Sequence, residues 1–312
     1  MKTLILGGNG FLGAHLQKLF SGPEHSLRVL DHSSVRYFKP LPFCEYLIGD
    51  WSDRKLLDRA LEGVDCVYHL IGTVQVRLAN ENPAIDAEKT ILGSLKLLDA
   101  CVKKSVKTFV FVSSGGAVYG DSSSIISETH PTEPISAHGV SKLAVEKYLN
   151  LYDKLHGLRY RIARCSNPYG EYQDPCRQQG VILALLYQTL KGGKLPVWGD
   201  GSVVRDYIYA GDAARALYLM GLSNGSSSVF NVSSGTGTSI NELKKIVREI
   251  TKRECAFEML PARPYDVPKN VLDPSKARSQ LAWAPSVSLK EGVERTYRWL
   301  LDFYKTGREN PK

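Results

Sequence analysis

Gly7, Gly10 and Gly13, with Asp31 further along the chain, are the residues whose types and spacing point most directly to chemistry. The stretch Gly7-Gly8-Asn9-Gly10-Phe11-Leu12-Gly13 follows a short apolar run, Lys2 to Leu6, and opens a helical pattern carrying Leu12, Leu16, Leu19 and Phe20. In that context Gly7 permits a tight turn, Gly10 lets backbone N–H groups approach a pyrophosphate, and Gly13 lets the helix pack on the strand. The helix start at Phe11 and Leu12 then faces the anion with its positive end. Asp31 ends the next strand, Leu27 to Leu30, about 20 residues beyond the glycines, where a carboxylate accepts hydrogen bonds from an adenosine ribose and repels a 2′-phosphate. The pattern predicts a dinucleotide site that prefers NAD to NADP. A glycine turn without a ligand is the alternative, disfavoured by the agreement of strand, loop, helix and acid. Further on, Arg205 in Val204 to Tyr209 and Arg263 in Arg263 to Val267 have the fork geometry to grip a diphosphate. Either could instead be an ion-paired scaffold residue.

The elements that must position these groups read as strands alternating with helices. Strands are predicted from Glu45 to Ile48, Cys66 to Leu70, Thr108 to Val112 and Leu158 to Ala163. Helices are predicted from Arg54 to Leu61, Ala84 to Lys103 and Gly139 to Leu155. This alternation predicts an α/β fold with a doubly wound parallel sheet, the Rossmann arrangement, whose ligands sit at the carboxyl ends of the strands. Asp50 with Trp51, Leu70 with Gly72, Ser113 with Ser114, and Asn167 are therefore expected to converge on one crevice. Asp50 would meet the adenine edge or, alternatively, serve as a solvated helix cap. His138, Lys142 and Glu146 share the Gly139 helix or its start. Beyond Asn167, prolines and glycines break the chain into shorter elements, which predicts a smaller second region. We divide the chain into residues 1–166 with about 203–232 as the NAD-binding domain, and 167–202 with 233–312 as the α/β region for the second ligand. Lys305 to Lys312 reads as a polar tail.

Composition limits the partners. At 312 residues the chain can bury a large core, and 43% hydrophobic with 23% charged residues is the balance of a soluble globular protein. No apolar run is long enough to span a membrane, and the first residues enter a strand directly, without a signal peptide, so the cytoplasm is expected. Six scattered cysteines lack metal-ligand spacing, which predicts reduced thiols and no metal. The net charge of +8 is spread along the chain, with no basic run interleaved with aromatics. A diphosphate in a cleft is the expected anionic partner, and nucleic acid is not.

A resemblance now gathers these motifs. Gly7 to Gly13, Asp31, Ser113-Ser114-Gly115-Gly116-Ala117-Val118-Tyr119-Gly120, His138-Gly139-Val140-Ser141-Lys142, Ser166 to Gly170, Trp198 to Gly201, Val204 to Tyr209 and Arg263 to Val267 resemble the extended short-chain dehydrogenase/reductase family. The likeness is nearest to its nucleotide-sugar enzymes of the UDP-glucose (UDP-galactose) 4-epimerase type, and it covers nearly the whole chain. It implies NAD as cofactor, a UDP-sugar as substrate and a homodimer. It implies Asn167 on the sugar or phosphates, Trp198 beside the uracil, Arg205 and Arg263 on the diphosphate, and Asp266 fixing the nucleotide. In such enzymes a Tyr takes the proton from the sugar O4 while NAD takes hydride from C4, and a Lys lowers the Tyr pKa and binds the nicotinamide ribose.

The catalytic positions depart from that pattern. His138 stands where the family has Tyr, Gly115 or Ala117 where it has Ser or Thr, and Thr90 where it has Asn. Lys142 is kept, and Ser114 is one residue short of the usual hydroxyl. A neutral imidazole, with a reference pKa near 6.5, is a competent base at neutral pH, although its reach is shorter than a phenol's. The expected catalytic set is His138, Lys142 and Ser114. The leading activity is C4 inversion of a UDP-hexose or UDP-N-acetylhexosamine. Other sugar-nucleotide oxidoreductases (a 4,6-dehydratase or 4-ketoreductase) and a non-catalytic binding homologue remain alternatives. The dehydratase is disfavoured because Ser113-Ser114-Gly115-Gly116 lacks an acidic pair.

Overall fold

Leu4 and Leu6 of strand β1 (Lys2–Leu6) point to one face of the central sheet and Ile5 to the other, and all three are fully buried. Because alternate side chains of a strand face opposite ways, a strand dry on both sides needs a helical layer on each. The computed structural model describes residues 1–20, 25–35, 37–72, 76–122, 124–175, 180–263 and 267–305. It contains a seven-stranded sheet in the order β10-β6-β5-β4-β1-β2-β3. The members are β1, β2 (Ser26–Asp31), β3 (Cys44–Ile48), β4 (Cys66–His69), β5 (Thr108–Ser114), β6 (Arg159–Cys165) and β10 (Ser228–Val232). Every pairing is parallel. The order reverses at β1, which lies between β2 and β4, so the loops after β1 and β4 open the crevice where ligands bind in such sheets.

One face is covered by α1 (Phe11–Gln17), α9 (Ala210–Leu222) and α11 (Ser275–Leu281), through Leu16, Ala213, Leu217 and Ala277. The other is covered by α2 (Arg54–Ala60), α5 (Gly93–Lys103) and α7 (Ala137–His156), through Leu57, Leu97, Leu98, Val145 and Leu149. Ser136 caps α7 by accepting from the Gly139 N–H, and Gly157 ends it in the left-handed region.

The second region has its own core, built on α8 (Val181–Lys191), α10 (Ile240–Thr251) and α12 (Leu289–Lys305). It carries a small sheet of β11 (Gly237–Ser239), β9 (Val204–Tyr209), β13 (Lys269–Asn270) and β7 (Asn167–Tyr169). A parallel pair, β8 (Lys194–Trp198) with β12 (Ala256–Leu260), completes it. The chain crosses between regions more often than the sequence division allows. β9 belongs to the small sheet, whereas Ala277, Leu281 and Trp283 return to the core of the large one.

The helix expected from Ala84 to Lys103 is continuous, with one π-helical turn inside it. Asn82 caps a short α4 (Pro83–Asp86), a π-helical turn follows at Ala87–Leu92, and α5 begins at Gly93. Gly93 is required there, because a Cβ would stand 2.7 Å from the Trp51 ring. Residues 73–75, which precede α3 (Val76–Glu81), and residues 306–312 of the expected tail lie outside the described residues.

A buried ion pair fastens α7 to the sheet. Arg164 on β6 donates to Glu146 at 2.7 Å, and Ser113 of β5 donates to the same carboxylate at 2.5 Å. Both charged side chains are under one-tenth exposed, so removing one leaves the other charge buried without a partner. Glu146→Ala is expected to lower unfolding free energy by about 3–5 kcal/mol, read from urea denaturation. Replacing Glu146 and Arg164 together by Leu and Met is expected to recover most of that loss.

Candidate functional site

A cleft of about 850 Å³ runs along the carboxyl edge of the large sheet and between the two regions. Gly7, Gly10, Phe11, Leu12 and Gly13 line one end. Gly7 turns at φ +77°, which only glycine adopts without strain. A Cβ on Gly13 would stand 2.3 Å from the Gly8 carbonyl oxygen, so helix α1 can seat against the loop only with glycine at that position. The helix starts without a side-chain cap, which leaves its first N–H groups directed at the cleft for an anion. Asp31 ends β2 and lines the same end. Its carboxylate is oriented by the Asn9 N–H at 3.0 Å and the Ser33 N–H at 3.1 Å. Asn9 Oδ1 is buried with no hydrogen-bond partner among the described residues. A glycine cradle, an oriented acid and an unused acceptor beside them fit the pyrophosphate and ribose of NAD. Leu70 and Gly72, just after β4, complete this end.

The chemistry-bearing corner lies where β5 gives way to a short turn, α6 (Gly115–Val118), and α7 begins above it. Close packing sets the angle. A Cβ on Gly139 would stand 2.4 Å from the Ala117 carbonyl oxygen, so the start of α7 rests on α6. His138 and Ser114 consequently line the cleft together. Burial, then the nearby Lys142 charge, lowers the His138 pKa to about 4, with Asp86 opposing, so the imidazole is neutral over the physiological range. Lys142 stands one helical turn further, behind the cleft wall. Its ammonium donates to the Val112 carbonyl at 2.9 Å and lies 4.7 Å from the centre of the Phe111 ring. Burial lowers its pKa to about 8, against the raising effects of Asp86 and Glu146.

A hydroxyl-bearing side chain at position 115 would have to displace the tip of Leu272. A Cβ there would meet Leu272 Cδ1 at 2.3 Å and the Arg164 carbonyl oxygen at 3.1 Å.

The opposite end of the cleft belongs to the second region. Asn167, Trp198, Arg205 and Arg263 all line it. Asn167 is held by its amide N–H to the Asp206 carbonyl at 2.9 Å. Arg205 donates to the Val267 carbonyl at 2.7 Å, and the Arg263 guanidinium lies 3.4 Å from the Trp198 ring centre. Asp266, the remaining expected nucleotide contact, lies outside the described residues.

Three expected members of the crevice lie elsewhere. Asp50 is exposed and accepts from the Ser52 N–H at 2.8 Å, the turn-capping alternative. Trp51 packs on His69 and over Gly93. Ser113 points backward to Glu146.

Sequence reasoning missed Tyr37, Tyr172, Gln173 and Asp174, which line the middle of the cleft from loops. The only local signal was weak, since Tyr172 has a positive φ of 70° that no residue type announces. Asp86, whose charge reaches both His138 and Lys142, was also missed. Among the described residues, no group of three or more His, Cys, Asp or Glu side chains is placed to hold a metal ion, and no helix is long and apolar enough to cross a membrane.

A dinucleotide loop, an acid for the ribose and a basic group at the junction of two regions define a dinucleotide-dependent enzyme fold acting on a second nucleotide. The model of the NAD dependent epimerase/dehydratase family matches residues 3–233, and the chain belongs to that family. It is similar to the UDP-glucose 4-epimerase of Thermotoga maritima solved with UDP-glucose, at 35% identity and TM-score 0.90, over 97% of this chain and 100% of that one. It is similar also to the Thermus thermophilus UDP-glucose 4-epimerase in complex with NAD, at 32% identity and TM-score 0.89, over 96% and 99%. A curated UDP-glucose 4-epimerase of Mycolicibacterium smegmatis is 31% identical over 95% of this chain and 97% of its own length.

NAD is expected to bind better than NADP in calorimetric titration, and Asp31→Ala to weaken NAD by about 1–3 kcal/mol through lost charge-assisted hydrogen bonds. Equal binding of NADP by the wild type would remove Asp31 from this role.

Proposed function

We propose that the protein inverts C4 of a UDP-hexose or UDP-N-acetylhexosamine, with His138 as the proton acceptor and donor. One observation carries this reading: His138 lies between the dinucleotide loop and the Trp198–Arg205–Arg263 end of a single cleft, with Lys142 one helical turn behind it. NAD, when bound, supplies a hydride acceptor that returns the hydride to the other face of C4. His138 takes the O4 proton as the alcohol becomes a ketone and gives it back as the ketone is reduced. Lys142 supplies a fixed positive charge at the end of β5 that favours a developing oxyanion. Trp198 and Arg263 hold the base and diphosphate while the 4-ketosugar turns over, and Asn167 orients the sugar.

The missing hydroxyl at position 115 favours no second activity. The corner has no acidic pair of the kind a 4,6-dehydratase requires, since Gly115 and Gly116 occupy it.

The functional unit in this reading is a homodimer. Val140, Tyr148, Leu151 and Leu155 expose an apolar stripe along one side of α7, at spacings suited to a helix-on-helix contact. The compartment in this reading is the cytoplasm, which the free thiols of Cys44, Cys66, Cys101, Cys165 and Cys255 suit.

Purified protein with NAD is expected to interconvert UDP-glucose with UDP-galactose, or their N-acetyl forms; inactivity on all of them would overturn the reading. His138 accepts a proton only when neutral, so turnover rises with pH through a midpoint near 4. Lys142 acts only when charged, so turnover falls through a midpoint near 8. His138→Ala is expected to lose on the order of 10²- to 10⁴-fold in kcat with NAD binding intact. His138→Tyr, beside the same lysine, is expected to keep or raise activity.

A further inference from the structure

Asp86, the last residue of α4, is sealed from solvent at 0% exposure. Its Oδ1 accepts from the Thr90 hydroxyl at 3.2 Å across the π-helical turn. Its Oδ2 has no hydrogen-bond partner among the described residues. An unused carboxyl oxygen in a dry interior is costly, so a fold keeps one where a positive charge compensates it. Helix α7 supplies that charge, because α4 and the π-turn both pack along it. The groups around Asp86 divide clearly. His138 and Lys142 feel its charge, and in each case the protonated form is favoured. Glu146 is the other acid acting on Lys142, but it is already engaged by Arg164 and Ser113. Behind Thr90, Ser94 donates to its carbonyl at 2.6 Å and meets His69 Nε2 at 3.3 Å, and burial keeps that imidazole neutral. A π-turn is a local insertion that re-aims side chains and is frequent at functional sites. This one begins directly after Asp86, and Asp86 and Thr90, four residues apart, share one helix face.

We propose that Asp86 is a positioning residue for proton transfer: its buried carboxyl, set against α7, steadies the charge of the His138–Lys142 pair. The role rests on the epimerase reading above. When the O4 proton passes to His138, a second positive charge forms beside Lys142, and Asp86 offsets it. His138 gives a proton back to O4 in the second half of the cycle, so no net proton is consumed.

The test uses the protein with NAD bound and no sugar, isotope-labelled at His, Lys and Asp and titrated by NMR. In Asp86→Asn, Lys142 is expected to lose its proton about one pH unit lower than in wild type, and the His138 midpoint to fall in the same sense. Asp86→Glu should lie near wild type. Both limbs of the kcat profile should move to lower pH in Asp86→Asn, with KM and NAD affinity unchanged. Unmoved midpoints in a folded Asp86→Asn protein would overturn the proposal even if kcat fell, since that fall would then reflect packing alone. Wild type provides an independent check if Asp86→Asn does not fold. The carboxyl carbon resonance of Asp86 should shift as Lys142 titrates and cease to do so in Lys142→Met; indifference to Lys142 would overturn the proposal. These midpoints are read without substrate, so an inactive wild type would refute the epimerase reading and leave the Asp86 result standing on its own.

Discussion

An ammonium group shut away from water is the constraint around which this site is arranged. Lys142 is only 6% exposed, and its burial costs enough to pull its pKa down to about 8. Three elements share the compensation: β5 offers the Val112 carbonyl, α7 offers Glu146, and the π-turn region offers Asp86. Each of them also fixes a cleft residue or its neighbour. β5 ends in Ser114, α7 begins at His138, and Asp86 acts on His138 as well. The charge that would steady an oxyanion is therefore the same one that holds the corner together.

The second region reaches this corner through a buried acid of a different kind. Asp206 on β9 is fully buried, and burial raises its pKa, yet its oxygens accept from Ser166, Ser234, Gly235 and Leu272. Those partners come from segments following β6, β10 and β13, so one carboxyl ties the small sheet to the edge of the large one. Arg205 and Asn167 sit next to this knot, the first as its chain neighbour and the second bonded to its carbonyl. Asp212 does the same for the C-terminal segment, accepting from the Ser286 and Val287 N–H groups. The small sheet and the C-terminal segment are in this way tied to the large sheet and its helical layer by hydrogen bonds to buried carboxylates.

The centre of the large sheet was legible in the sequence because β1, β4 and β5 are buried and read as mostly apolar runs, and because the glycine loop has a steric meaning at each position. The cleft-lining glycines, Asp31, Ser114 and Asn167 were legible because their motifs sit at strand ends, whereas His138, Trp198, Arg205 and Arg263 were placed by the family resemblance. Asp50 was not, since an acid at a strand end serves a turn as readily as a ligand. The π-helical turn at Ala87–Leu92 was hidden because its apolar spacing still matches an α-helix. Asp86 was hidden with it. Its significance lies in a packing relation between α4 and α7 that no local pattern encodes.

The central claim is that this corner moves a proton while a hydride leaves C4 and returns to it. Supplying a UDP-hexose deuterated at C4 to the protein with NAD, and following carbon-bound deuterium by NMR in ordinary water, tests it directly. The account predicts that the C4 epimer forms with deuterium still on C4, because the hydride never exchanges with solvent while the O4 proton does. A C4 epimer that has lost its deuterium to water, or a product that keeps a ketone at C4, would contradict it.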